Sequence, residues 1–223
     1  MSFRHGKLSY FSIGTLGALH VPTNISSYLT EVSMARPVDT SETSTFGSQA
    51  KTFVIGLYSS TFTTRGRWDD TLDAIIAPLL GLETAVGFCY GPGGNASGRR
   101  RIVGIAYITD YSPSGSTGDM VGISLNAQVT GAVASSTFAA ANQTTTVAVG
   151  SNAVNTSTFQ GSGSLSVAAN SLAAAGVVLV GVQGTAPAVI IYTGGGGTTT
   201  LTGCTTIAGG GVLATSDAVN NFC

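Results

Sequence analysis

The stretch Leu29–Leu80, LTEVSMARPVDTSETSTFGSQAKTFVIGLYSSTFTTRGRWDDTLDAIIAPLL, holds three kinds of segment in succession. Leu29 to Arg36 alternates, with Thr30, Val32 and Met34 against Leu29, Glu31 and Ser33, the pattern of a half-buried strand. Pro37 lacks a donor for the ladder and ends it. A polar Ser/Thr-rich loop is expected over residues 37–51. Thr52 to Trp68 alternates again. Phe53, Ile55 and Leu57 share one face, and Tyr58, Ser60, Phe62 and Thr64 share the other phase. A phase change at Leu57–Tyr58 is what one extra residue, a bulge, produces. A helix is expected over 69–80. Asp69 suits the N-cap, Asp70 and Asp73 suit the positive end of the dipole, and Leu72, Ile75, Ile76, Leu79 and Leu80 form one apolar stripe. Pro78 should kink this helix or end it near Ala77, and Gly81 closes the segment.

The loop exceeds the roughly 12 residues beyond which a structureless connection in a compact domain is functional or disordered. Its one large apolar group is Phe46, beside Gly47. Two readings stay open: an unanchored hairpin tip, or a loop that docks elsewhere with Phe46 as its anchor.

The order of these pieces carries a resemblance. A Ser/Thr-rich loop is followed by Thr45-Phe46-Gly47, Ala50-Lys51-Thr52-Phe53, Ile55-Gly56-Leu57 and a strand ending Gly66-Arg67-Trp68-Asp69. Over residues 5–135 this resembles the major tail tube proteins of long-tailed bacteriophages of the siphovirus, lambda-like type. The resemblance implies a tail-tube β-sandwich or barrel with one flanking helix. It implies homohexameric rings whose sheets join edge to edge, stacked through the N-terminal arm and the loop, with Thr40, Thr45, Phe46, Gly47 and Lys51 as the stacking residues. It also implies a tape measure protein in the lumen, tail terminator and distal tail proteins at the ends, and genomic DNA passing without specific binding. Assembly in the host bacterial cytoplasm, residence in the virion tail and no cofactor follow from the same likeness.

Composition agrees with a self-covering surface. Hydrophobic residues make up 43% and charged residues 9% of the 223, with 31 glycines. An ordinary soluble domain carries roughly 25% charged residues. A low-charge secreted β protein fits these figures equally. Net charge is −1, which gives no basic footprint for nucleic acid. No run of about 18 apolar residues offers a membrane span. Residues 1–17 lack the apolar core and small-residue cleavage site of a signal peptide, so cytoplasmic synthesis is expected. Cys89, Cys204 and Cys223 are an odd number without metal spacing, and free thiols are expected, with Cys89 in the core and Cys223 loose.

Residues 1–28 read as an extended arm ending in a short strand or turn near Val21–Ile25. Thr84 to Tyr90 reads as a buried strand. The glycines of GPGGNASGRRR, residues 91–101, lack the Gly-Lys-Ser/Thr ending of a phosphate cradle. Arg99, Arg100 and Arg101 are candidates for charge pairing between subunits, with contact to DNA phosphates the weaker reading. The nine acidic and nine basic residues of 1–119 balance. Ile102–Thr109 is a strand and 110–119 a polar turn. In the next strand Val121, Ile123, Leu125, Ala127, Val129 and Val133 alternate with a wet, uncharged set that includes Ser124, Asn126, Gln128 and Thr130. That wet face is either the lumen lining or plain solvent surface.

Beyond Met120 the only charged side chain is Asp217. Short apolar runs at 145–149, 164–168, 176–182, 188–192, 199–202 and 211–214 predict a C-terminal β-sandwich, Ig-like or similar, over 136–223 and on the outer surface of a tube. A contractile-system tube is disfavoured, because a sheath must wrap it closely. The other class of function is a phage decoration protein or a carbohydrate- or surface-binding β module. Catalysis is not expected: His5 and His20 both lie in the arm, away from the carboxylates around Asp69.

Overall fold

The computed structural model describes residues 6–15, 22–45, 49–83, 85–138, 144–148, 159–168, 172, 176–180, 188–209, 212–214 and 218–221. The described residues are mainly β with one α-helix, as expected. The N-terminal part contributes β1 (Tyr10–Thr15), β2 (Thr23–Asn24), β3 (Leu29–Ala35), β4 (Val38–Glu42), β5 (Phe53–Tyr58), β6 (Thr61–Arg67), α1 (Asp70–Ile76), β7 (Val86–Gly91), β8 (Arg100–Ser114) and β9 (Gly122–Thr137). Seven of these strands form one antiparallel sheet in the order β2-β1-β7-β8-β9-β6-β3, while β4 and β5 pair only with each other.

Two expectations for this part are corrected. The arm is not peripheral at Tyr10–Thr15. That segment is an interior strand with Phe11 and Ile13 fully buried, because its alternation was short and masked by flanking glycines. The turn expected at 110–119 is shorter, since β8 runs on to Ser114 opposite Gly122.

The sheet curls around its own apolar face. Phe11 on β1 meets Phe62 on β6 with ring centroids 5.4 Å apart, and Phe62 meets Phe88 on β7 at 4.9 Å. Ile123, Leu125, Ala127 and Val129 enter the same core, as the alternation predicts. The helix covers it with Leu72 and Ile76, and a 3-10 turn at Ala77–Leu79 adds Leu79. Asp69 caps the helix by accepting from the Thr71 N–H at 2.8 Å, and Pro78 starts the tighter turn instead of continuing the helix. Tyr111 reaches in from β8 to donate to Asp73 Oδ1 at 2.8 Å. Burial and that carboxylate push its pKa up to about 12.

The C-terminal strands are β10 (Thr144–Thr146), β11 (Gln160–Ser166), β12 (Gly176–Val180), β13 (Ala188–Tyr192), β14 (Thr200–Ala208) and β15 (Ala218–Asn221). The sixth strand is Ala218–Asn221 and not 211–214. They form an antiparallel sheet in the order β10-β15-β12-β13-β14-β11. Its two outermost strands meet. Val147 bridges Val167, Ala148 N donates to Ser166 O at 2.9 Å, and Ala168 N donates to Thr146 O at 2.8 Å. The sheet therefore closes into a small barrel around Leu165, Val178, Val180, Ile190, Leu201 and Val219.

The two parts share a third core. Cys89, Val103, Ile105, Ala134 and Phe138 from the first sheet pack on Val177 and Val189 of the barrel's outer surface. The strand β9 serves both. Its buried positions are odd up to Val129 and even from Ala134, and the switch occurs at Gly131, whose φ is 70°. Only glycine takes that backbone cheaply, and a Cβ there would meet Ile207 O at 3.0 Å. Cys89 carries a disulfide, which corrects the expectation of a free thiol; nothing in the spacing of three cysteines signalled it. Cys204 is free and buried, and burial pushes its thiol pKa up to about 11. Cys223 lies outside the described residues.

Candidate self-assembly surface

The loop expected at 37–51 is largely a hairpin. β4 follows β3 after Arg36 and Pro37, and β5 precedes β6 by Ser59 and Ser60. The pair β4–β5 therefore continues the pair β3–β6 outward from the sheet. The neck is thin, with Ser59 N donating to Pro37 O at 3.1 Å. The ribbon has one extra residue on β5, since Val38 opposes Tyr58 while Thr40 opposes Ile55. That bulge lies where the phase change predicts it. Beyond the strands, Thr43 N donates to Thr52 O at 2.8 Å, and Lys51 Nζ reaches Glu42 Oε2 at 3.0 Å.

Every residue of β4 and β5 is exposed. Among them are Val38, Phe53, Val54, Ile55, Leu57 and Tyr58, with Ile55 75% and Leu57 84% accessible. An apolar ribbon in water is unusual on two counts. An isolated two-stranded hairpin is marginally stable, and contiguous exposed apolar surface marks an interaction site. Fully burying one such side chain contributes about 1.5–3 kcal/mol, so covering this ribbon outweighs a substantial ordering cost.

Among the described residues the first sheet is open at both sides, since β2 and β3 each pair on one side only. β1 is blocked beside β2 by Ser26, whose Oγ accepts from Phe11 N at 2.7 Å and donates to Phe11 O at 3.2 Å. Beside the free edge of β3 lies a cleft of about 500 Å³, lined by Leu29, Thr30, Glu31 and Val32 and by Lys7 and Ser9 across from them.

The sequence-derived site residues scatter across this frame. Thr40 stands exposed on β4, Thr45 and Lys51 are exposed near the tip, and Phe46 and Gly47 lie outside the described residues. Arg100 is exposed and Arg99 half-buried. Arg101 is only 1% accessible, which overturns its assignment to charge pairing between subunits. It points the same way as Val103 and Ile105, into the core between the two sheets. Its Nε donates to Ser136 Oγ at 2.7 Å, and its guanidinium stands 5.5 Å from the ring centroid of Phe138. Phe138 in turn meets Tyr10 edge-on at 5.5 Å. Burial lowers the Arg101 pKa to about 10, with Tyr192 and Tyr10 opposing that shift. Phase with Val103 was the available signal, and a run of three arginines hid it.

Ser124, Asn126, Gln128 and Thr130 are half-buried or exposed, on one face up to the bulge. That face is polar but not uncharged, because neighbouring strands add Glu31 opposite Arg65, and Arg65 opposite Ser124. Thr63 Oγ1 donates to Asn126 Oδ1 at 2.8 Å, Asn126 Nδ2 to Asp110 Oδ2 at 3.1 Å, and Ser112 Oγ to Asp110 Oδ1 at 2.9 Å. The ladder fixes a carboxylate on the face. Among the described residues no group of three or more His, Cys, Asp or Glu is placed to hold a metal, and no helix is long and apolar enough to cross a membrane. His5 and His20 lie outside the described residues.

No family model and no curated protein matches the chain. Solved structures do. The SPP1 tail tube is 12% identical with a TM-score of 0.50, over 60% of this chain and 79% of that one. The tail of an empty gene transfer agent particle, refined with C6 symmetry, is 16% identical with a TM-score of 0.47, over 60% of this chain and 99% of that one. SPP1 Dit, the hub protein of an adsorption apparatus, aligns over 94% of this chain and 97% of its own at 11% identity, with a TM-score of 0.35. At the first of these similarities the shared property is the fold: over the aligned 60% this chain has the fold of a phage tail tube subunit.

Proposed function

We propose that the chain is the repeating subunit of a phage tail tube, a structural protein whose hexameric rings stack into the conduit for DNA between capsid and host. The observation that carries this reading is the exposed apolar ribbon β4–β5 growing out of a sheet with two unpaired edges. A lone molecule with such edges is an aggregation hazard, whereas an ordered polymer uses the edges and the ribbon as its contacts. The shared fold with the SPP1 tail tube supports it. In this reading the face bearing Ser124, Asn126, Gln128 and Thr130, together with Arg65, Glu31 and Asp110, lines the lumen, where the two carboxylates offset the arginine and a polyanion should slide and not be held. A tape measure protein occupies that lumen during assembly, terminator and distal tail proteins cap the ends, and the C-terminal barrel sits outside.

Deleting Thr40 to Gly47 from the full chain tests the reading. The expected product is a folded, soluble subunit that forms no tubes under negative-stain microscopy at high concentration. Tubes of normal appearance from the deletion would remove the docking role. Discrete particles from the unmodified chain would favour the second reading, a decoration or surface-binding module. The closed, nearly uncharged barrel suits that reading but leaves the ribbon unexplained.

A further inference from the structure

We infer that the β4–β5 ribbon of one copy seats on the Trp68–Met120–Val121 surface of a second copy, a head-to-tail contact that resides at the two ends of a single strand. The inference rests on the tube reading above and adds the acceptor.

The strand β6 joins the two surfaces. At Thr61 it enters from the neck of the ribbon, and at Arg67 it leaves the sheet opposite Gly122. Seven residues at ~3.3 Å each separate the ends by roughly 20 Å. Beyond Arg67, Trp68 N donates to Val121 O at 2.9 Å, which brings the two chain segments together. Trp68 and Val121 are exposed there, and Met120 is 67% accessible. The Arg67 guanidinium lies against Met120 Sδ. This is a second exposed apolar surface, at the opposite end of β6 from the ribbon.

Three properties select a second copy as the occupant. Both surfaces are apolar and both belong to this chain. Their placement at opposite ends of one strand means that translation along that strand brings the ribbon of one copy to the acceptor of the next. A contact between two different patches propagates, whereas ribbon against ribbon would stop at a pair. Charge is compatible as well. The ribbon and its base carry Arg36 and Asp39 with the bridged Lys51 and Glu42, and the acceptor flank carries Arg67 with Asp69 and Asp119, so a neutral ribbon meets a surface of mixed sign without net repulsion.

Two double variants test the contact: Ile55→Lys with Leu57→Lys on the ribbon, and Met120→Lys with Val121→Lys on the acceptor. All four side chains are exposed, so thermal unfolding of each subunit should match the unmodified protein. If either variant melts early, the milder Ile55→Ser with Leu57→Ser and Met120→Ser with Val121→Ser replace them. Neither variant alone should form rods. Mixed together they should form particles of two layers and no more, because one supplies a ribbon and the other an acceptor. If the acceptor variant alone forms long rods while the ribbon variant does not, the acceptor is wrong and the tube reading stands. If the ribbon variant also forms rods, the docking role in the tube reading falls with it. A mixture that stays in single layers overturns the head-to-tail pairing.

Discussion

The two halves of the molecule solve the same problem in opposite ways. The C-terminal sheet joins its own outermost strands through Val147 and Val167 and hides its edges. Among the described residues the N-terminal sheet leaves the outer edges of β2 and β3 open and extends an apolar ribbon into solvent. One half is finished within a single chain and the other is not. Charge follows the same division: the described residues from Gly122 onward carry none, while the open half carries balanced charges. In the proposed tube, polymerisation falls to the incomplete unit and the complete one stays outside it.

The junction between the halves is where this contrast breaks most readily. Arg101→Ala removes a buried guanidinium, orphans Ser136 and leaves a void beside Phe138, at an expected cost of about 3 kcal/mol. Calorimetry should show one unfolding transition for the unmodified chain, and for the variant a lower one that begins to separate into two. Arg101→Met, which fills the space, should recover part of the loss.

Alkaline pH gives the next largest effect. Cys204, Tyr111 and Tyr192 have folded pKa values raised to about 11, 12 and 12, chiefly by burial. For groups raised on folding, the stabilisation is complete below the unfolded pKa, from 9.0 for the thiol and 10.0 for the phenols, and is lost as pH climbs to the folded value. Arg101 works in the opposite sense, because its folded pKa is lowered. The denaturant midpoint should fall between pH 9 and 12, and Cys204→Ala should flatten the part below about 11. A flat profile would mean that the barrel core does not exclude water.

Smaller effects sharpen the division. Gly131→Ala strains the residue at which β9 changes sides and should cost about 1–2 kcal/mol in urea unfolding. Asp69→Ala loses the cap on α1, for about 1 kcal/mol. Leu57→Ser should leave subunit stability within about 0.5 kcal/mol while weakening assembly measured by sedimentation, since that side chain meets solvent in the lone chain.

Elements with strong local patterns were legible. Alternation in Ile123–Val129, the Asp69 cap and the break at Pro78 all read directly, because each depends on neighbours within one turn or one ladder. Three features were not. Tyr10–Thr15 is too short to show its period among glycines, so an interior strand passed for an arm. The β4–β5 ribbon has the polar composition of a loop on one side, and no rule of burial applies to a strand with no core. Arg101 looked like surface charge because burial of a guanidinium depends on Ser136, Phe138 and Tyr192, from strands that only the folded chain brings near it. The exposed surface around Trp68 and Val121 was not readable either, since the two are 53 positions apart in sequence and are brought together by the pairing of β6 with β9.

The thin neck at Pro37 and Ser59 has a mechanical side. Behind it stands a body with three packed cores, and ahead of it the ribbon that the proposed tube anchors on a second copy. Elastic compliance in such a chain concentrates at its slenderest cross-section. A filament linked through these necks would curve by many small deflections there, while each body keeps its shape and any passage through it keeps its bore.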